Sequence, residues 1–156
     1  MCHKIPFLWR FHRVHHSDNK MDVTSANRFH FGEIIISSTL RIAVIFLTGA
    51  SLFHLAIYEA IMFPIVQFHH ANIKLPEKLD SLLRAFIPTP AMHKVHHSRL
   101  PVETDSNFSS LLSIWDRLFG SFRMQPELDK IKFGLKGHDS EAKQSLVGLI
   151  KEPLEK

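Results

Sequence analysis

At 156 residues the chain is about one domain long, with 45% hydrophobic and 22% charged residues. A formal charge of +4 gives a mild attraction for anionic surfaces, but no recognition motif accompanies it, so nucleic acid is not an expected partner. The single cysteine, Cys2, excludes an internal disulfide and a cysteine-based zinc site.

In chain order, residues 1–10 hold His, Lys, Pro and Trp and do not read as a signal peptide. Pro6 suits the first position of a helix, which the pattern predicts over 7–16 with an end near Ser17 and Asp18. Residues 18–25 are polar and read as a loop. From 34 to 68 the chain is apolar except for Ser37, Ser38, Arg41, Thr48, Ser51, His54, Glu59 and Gln67. A bilayer span takes about 20 residues, so this block is too long for one span and slightly short for two. Gly49 is a natural bend, and the block predicts a hairpin of helices over 34–48 and 51–67 crossing or deeply entering a membrane. The competing reading is a pair of buried core helices in a soluble protein. Glu59 is costly in lipid and is expected to face protein or the interface.

Beyond the hairpin, Leu79, Leu82, Leu83 and Phe86 predict an amphipathic helix over 75–86. Pro88 and Pro90 interrupt it, and Pro90 can open the next helix. Residues 100–105 read as a loop. Ser106 or Asn107 is expected to cap a helix running to Phe119, with Gly120 as its stop. Residues 123–156 form a polar carboxy-terminal tail with one amphipathic helix over 140–150.

The feature that carries chemistry is a repeated string, His12-Arg13-Val14-His15-His16-Ser17 and His93-Lys94-Val95-His96-His97-Ser98. On a helix, positions i, i+3 and i+4 share a face, so each copy aims three imidazoles in one direction. Imidazole binds zinc, iron, copper and nickel. Parity supports a shared pocket, because two crossings return His93 to the side of the membrane where His12 sits. The chain lacks the His-Glu-x-x-His of zinc peptidases and the Glu-x-x-His helices of carboxylate-bridged di-iron proteins. Structural zinc needs four ligands, fewer than are present. A pair of redox-capable ions fits best, iron foremost, with zinc a possible substitute. The expected fold class is all-α: a membrane helical hairpin plus helices carrying two His-x-x-His-His boxes.

These residues resemble the fatty acid hydroxylase/sterol desaturase superfamily. The resemblance rests on the two triplets, the hairpin between them, Asp22-Val23-Thr24-Ser25-Ala26-Asn27-Arg28-Phe29-His30, His69-His70-Ala71-Asn72-Ile73 and Trp115-Asp116-Arg117-Leu118-Phe119-Gly120. It implies a partial hydroxylase-like domain over 3–122 of an integral-membrane, histidine-box di-iron oxidoreductase. Such an enzyme uses dioxygen to hydroxylate or desaturate a lipid C–H bond, of sterol or fatty-acyl type. Electrons there come from a cytochrome b5-type protein, a ferredoxin or a reductase, and the boxes are expected on the cytoplasmic side. By the same resemblance, His12, His15 and His16 match one box, His93, His96 and His97 another, and His70 an additional ligand after the hairpin. His3 matches the second member of a further box whose first member would precede Met1. The chain is therefore expected to be the carboxy-terminal portion of a longer enzyme. The alternative reading is a non-catalytic membrane metal-binding remnant or accessory subunit.

Weaker candidates surround this set. Adjacent helical residues diverge by about 100°, which separates His69 from His70. His30 lies in a loop near the first triplet, and Asn72 is placed to ligate through water or to orient a neighbour. Asp18, Asp22, Glu33, Asp105 and Asp116 can each accept the second N–H of a ligating imidazole, with Asp116 preferred. His54 reads as a hydrogen-bonded residue of the hairpin and His138 as solvated.

Overall fold

The computed structural model describes residues 2–155. Among them no strand forms, and one isolated bridge joins Ser98 to Phe133. Helix α1 (Pro6–His16) begins with Pro6 in its first turn and ends where the Ser17 N–H meets the Val14 carbonyl. The segment expected as a loop then tightens into a 3₁₀ turn, Val23–Asn27. Asp22 caps it by accepting from the Thr24 N–H at 2.7 Å while its own N–H donates to Ser25 Oγ.

The hairpin follows as α2 (Phe31–Thr48) and α3 (Leu52–His70), each a few residues longer than expected. His30 Nδ1 accepts from the Gly32 N–H and caps α2, and Gly49 ends it at φ +67, a conformation glycine adopts without strain. Ser51 and His54 form a reciprocal cap at the start of α3, which puts His54 at the exposed hairpin tip rather than in its interior. The two helices have 18 and 19 residues, roughly 27 Å each at 1.5 Å per residue. A helix of a soluble core would be buried, yet none of α2 is buried and Phe46, Leu47 and Leu52 are about 80% exposed. The hairpin's apolar faces are therefore turned outward and are not buried as a core, and both helices are long and apolar enough to cross a bilayer. Glu59 pairs with Arg41 across the two helices.

Next come α4 (Glu77–Leu83), α5 (Pro90–His96) and α6 (Pro101–Thr104). The first is shorter than the amphipathic pattern implied, and α6 falls where a loop was expected. The helix expected from Ser106 to Phe119 is a correction: only α7 (Ile114–Leu118) forms. Asn107 sits at φ +50 and spends its amide on Met92 O, Arg123 O and the Arg123 N–H, locking an irregular loop instead of capping a helix. The predicted last helix is likewise split at Ser145, whose extended backbone lets it cap a second piece. The two pieces are α8 (Glu141–Gln144) and α9 (Leu146–Lys151).

The tail folds back on α1. Arg13 donates to the carbonyls of Glu152 and Glu155, and its Nε lies 2.8 Å from the Glu152 carboxylate, which is buried. His138 also reaches Glu152 at 2.8 Å, so it is not the solvated residue the sequence implied. The fully buried hydrophobic set is small: Val14, Met21, Ala26, Met92 and Val95. Among the described residues, histidine is the commonest buried polar type: His15, His16, His30, His69, His70, His93, His96 and His97 are all buried.

Candidate metal centre

Val14 and Val95, the shared valines of the repeat, face inward and fix which way α1 and α5 turn. Their neighbouring imidazoles then meet in two groups of four. In one, ligand atoms of His3, His12, His16 and His96 lie within 4.8 Å of one another; in the other, those of His15, His70, His93 and His97 do. The triplets therefore do not each serve one point, as their spacing first implied. Positions i and i+4, about 40° apart on the helix, stay together while i+3, about 60° from the first and about 100° from the second, crosses to the other group. His16 and His97 stack at 4.4 Å between ring centroids, so the groups adjoin.

Hydrogen bonds at the back of the rings decide which nitrogens face inward. His12 Nδ1 donates to Glu33 Oε1 at 2.7 Å, His96 Nδ1 to the Ser106 carbonyl at 2.7 Å and His70 Nδ1 to the Val66 carbonyl at 2.8 Å. Each such bond places the proton on Nδ1 and leaves a bare lone pair on Nε2. His3 Nδ1 stands 3.6 Å from Asp105, and its buried Nε2 has no partner. His70 Nε2 lies 3.2 Å from His15 Nε2 and 3.1 Å from His93 Nε2. One lone pair cannot accept well from both, so three imidazole nitrogens converge in an arrangement that suits a shared cation.

Burial holds the rings neutral. His16, His93 and His97 are pushed well below the usual imidazole range, first by desolvation and then by mutual repulsion. The same causes lower His3 to about 2, and desolvation lowers His96 to about 4. Neutral imidazoles are the form that binds metal. Buried nitrogens of His15, His16, His93 and His97 also lack hydrogen-bond partners. Eight imidazoles in two quartets, several with orphaned nitrogens, fit two first-row transition ions.

The same shifts predict the acid behaviour of metal-free protein. These groups have folded pKa values below the unfolded value near 6.5, so the unfolded chain binds more protons on the acid side. Stability is fully present above about 6.5 and falls as the pH drops towards about 4, the value for His96. Denaturant titrations with chelator between pH 7.5 and 4.5 should show a progressively lower midpoint; a constant midpoint would remove this account of the buried rings.

The other candidates go elsewhere. His30 caps α2 with one nitrogen and contacts the Ile150 carbonyl at 3.1 Å with the other. His69 packs 4.0 Å from the His93 ring, outside both quartets, with Nδ1 buried and unpaired. Asn72 is exposed and accepts from Lys94. Asp116, the preferred carboxylate, does not hydrogen-bond an imidazole. It accepts from the N–H groups of Phe108 and Ser109 and from Ser121 Oγ, bracing the loop that carries Ser106. Glu33 takes the role given to Asp116, because α2 starts beside α1. The back-side acceptors Val66 O and Ser106 O carry no side-chain signal and were invisible to sequence reasoning.

A cavity of about 500 Å³ opens from the quartets into the hairpin. His3, His12, His15, His70, His93 and His96 line its base, with Ile34, Ser37, Ser38 and Arg41 of α2 and Met62 and Val66 of α3 above them. Two helices of bilayer-spanning length and apolarity standing on two histidine quartets are compatible with a metal centre at a membrane face. The chain belongs to the fatty acid hydroxylase family, whose model matches residues 1–121. It is 31% identical over 137 residues to an ornithine lipid hydroxylase of Rhizobium tropici, covering 88% of this chain and 40% of that protein. It is 33% identical over 135 residues to alkylglycerol monooxygenase of Xenopus tropicalis, covering 86% and 29% respectively. Cholesterol 25-hydroxylase of Mus musculus is 26% identical over 136 residues, 80% of this chain and 41% of that protein. The chain thus spans less than half the length of these relatives. No solved structure matches it.

Proposed function

We propose that this chain forms the metal-binding centre of a membrane lipid hydroxylase, with His3, His12, His16 and His96 holding one iron and His15, His70, His93 and His97 the other. The observation that carries this reading is the pair of imidazole quartets at the base of a cavity framed by two bilayer-length helices. When bound, iron would supply the power to activate dioxygen: one oxygen atom enters a C–H bond as hydroxyl, and two electrons and two protons reduce the other to water. The electrons are assigned to a partner of the cytochrome b5, ferredoxin or reductase type. The chain's own residues orient and exclude. Glu33, Val66 O and Ser106 O fix the rings through their Nδ1–H groups. Phe29, Ile34, Met62 and Val66 offer an apolar path by which a lipid tail reaches the base of the cavity without water.

The quartets are assigned to the cytoplasmic side. Arg10, Arg13, Lys20 and Arg28 precede α2, and Lys74, Lys78 and Arg84 follow α3, whereas the connection between the helices carries no basic residue. Expression in membranes, followed by metal analysis and lipid profiling with and without oxygen, tests the function. The expected result is about two irons per chain and an oxygen-dependent hydroxylated lipid. Metal without product in the presence of a reductant would instead favour a non-catalytic metal-binding module.

A further inference from the structure

Within α2, the polar side chains are not scattered. Ser37, Ser38 and Arg41 recur on the helix face of Ile34, at i+3, i+4 and i+7, and all four line the cavity. Arg41 stands eight residues beyond Glu33, roughly 12 Å deeper along the helix axis. An ionisable residue inside a span is expensive unless it serves a purpose. Glu59 on α3 balances the charge and takes one N–H of the guanidinium, but a guanidinium carries five. Glu59 is not among the residues lining the cavity, whereas Arg41 is. The remaining donors thus border the cavity, with Ile34, Met62 and Val66 between them and the histidine base.

We propose that Ser38 and Arg41 form a subsite for a neutral oxygen acceptor of the lipid, such as an ester or amide carbonyl, beside Ser37, whose hydroxyl proton goes to the Ile34 carbonyl. That group would sit roughly 12 Å from the carbon presented to the quartets, which sets where along the lipid oxidation falls. Because Glu59 already neutralises Arg41, a second anion beside it would be repelled, so the subsite prefers a carbonyl over a carboxylate. This rests on reading the cavity as the lipid site, but its test does not need turnover.

Membranes containing the full chain are photolabelled with a diazirine-bearing palmitate methyl ester, the matching headless diazirine hydrocarbon and the free acid, and crosslinks are mapped by mass spectrometry. The ester is expected to label cavity residues about three- to tenfold more than the hydrocarbon, the value of one or two net hydrogen bonds. Arg41→Met should abolish that preference. The exchange Arg41→Glu with Glu59→Arg keeps an ion pair between the helices but removes the donors from the cavity wall, and should abolish it too. Equal labelling by ester and hydrocarbon in the unmodified chain, a stronger signal from the free acid, or full preference in the charge-exchanged variant would each overturn the subsite. Metal content measured on the same samples keeps this result separate from the assignment of the quartets.

Discussion

His70→Ala is expected to release one of two bound metal equivalents and lower lipid product at least about 100-fold. His70 is the only member of its quartet supplied by the hairpin, so its loss removes the one direct ligand that the hairpin gives to the centre. Its Nδ1 proton is committed to Val66 O, and no other side chain of α3 belongs to that quartet. His69 cannot replace it, because it projects about 100° away and packs on His93. His69→Ala should therefore keep both equivalents. Glu33→Gln should give an intermediate result: the ring of His12 keeps a hydrogen bond but loses the carboxylate that raises its basicity, weakening that ion about 10- to 100-fold. Elemental analysis of the three purified variants checks the ranking. Two equivalents retained by His70→Ala would break the assignment of the second quartet.

Much of this centre was legible because its signal is periodic. The repeated His-x-x-His-His spacing, the apolar block and Gly49 imposed two helix faces, a hairpin and a return to one side. Those are local or near-local facts. The exchange of ligands between triplets was not legible, since it depends on how α1 crosses α5. Asp116 was misjudged for a similar reason. A carboxylate next to Trp115 looks free in sequence, but the irregular loop at Asn107 offers it two backbone N–H groups, which outcompete an imidazole. The same loop replaced an expected helix because Asn107 found tertiary partners better than a cap. His30, a weaker candidate, and His138, expected to be solvated, both have tertiary partners that the sequence does not show. The first is consumed by the start of α2, and the second by a carboxylate fourteen residues later.

That carboxylate, Glu152, underlies the second large effect. Arg13→Met is expected to destabilise the folded chain by about 3–5 kcal/mol, the usual cost of leaving one buried charge without its partner. Glu152 is 1% exposed, and Arg13 supplies both the opposing charge and donors to the carbonyls of Glu152 and Glu155. Only His138 would remain against the carboxylate. Because Arg13 lies between His12 and His15, the lost contact frees the tail and the middle of α1 together. Protease cleavage at Lys143 and Lys151 should accelerate, and metal should be lost at lower denaturant than in the unmodified chain. Pairing Arg13→Met with Glu152→Leu removes both charges and should recover most of the stability, as replacing a whole buried pair often does. If the single variant unfolds at the same denaturant concentration as the unmodified chain, the folded-back tail contributes nothing to holding α1 in place.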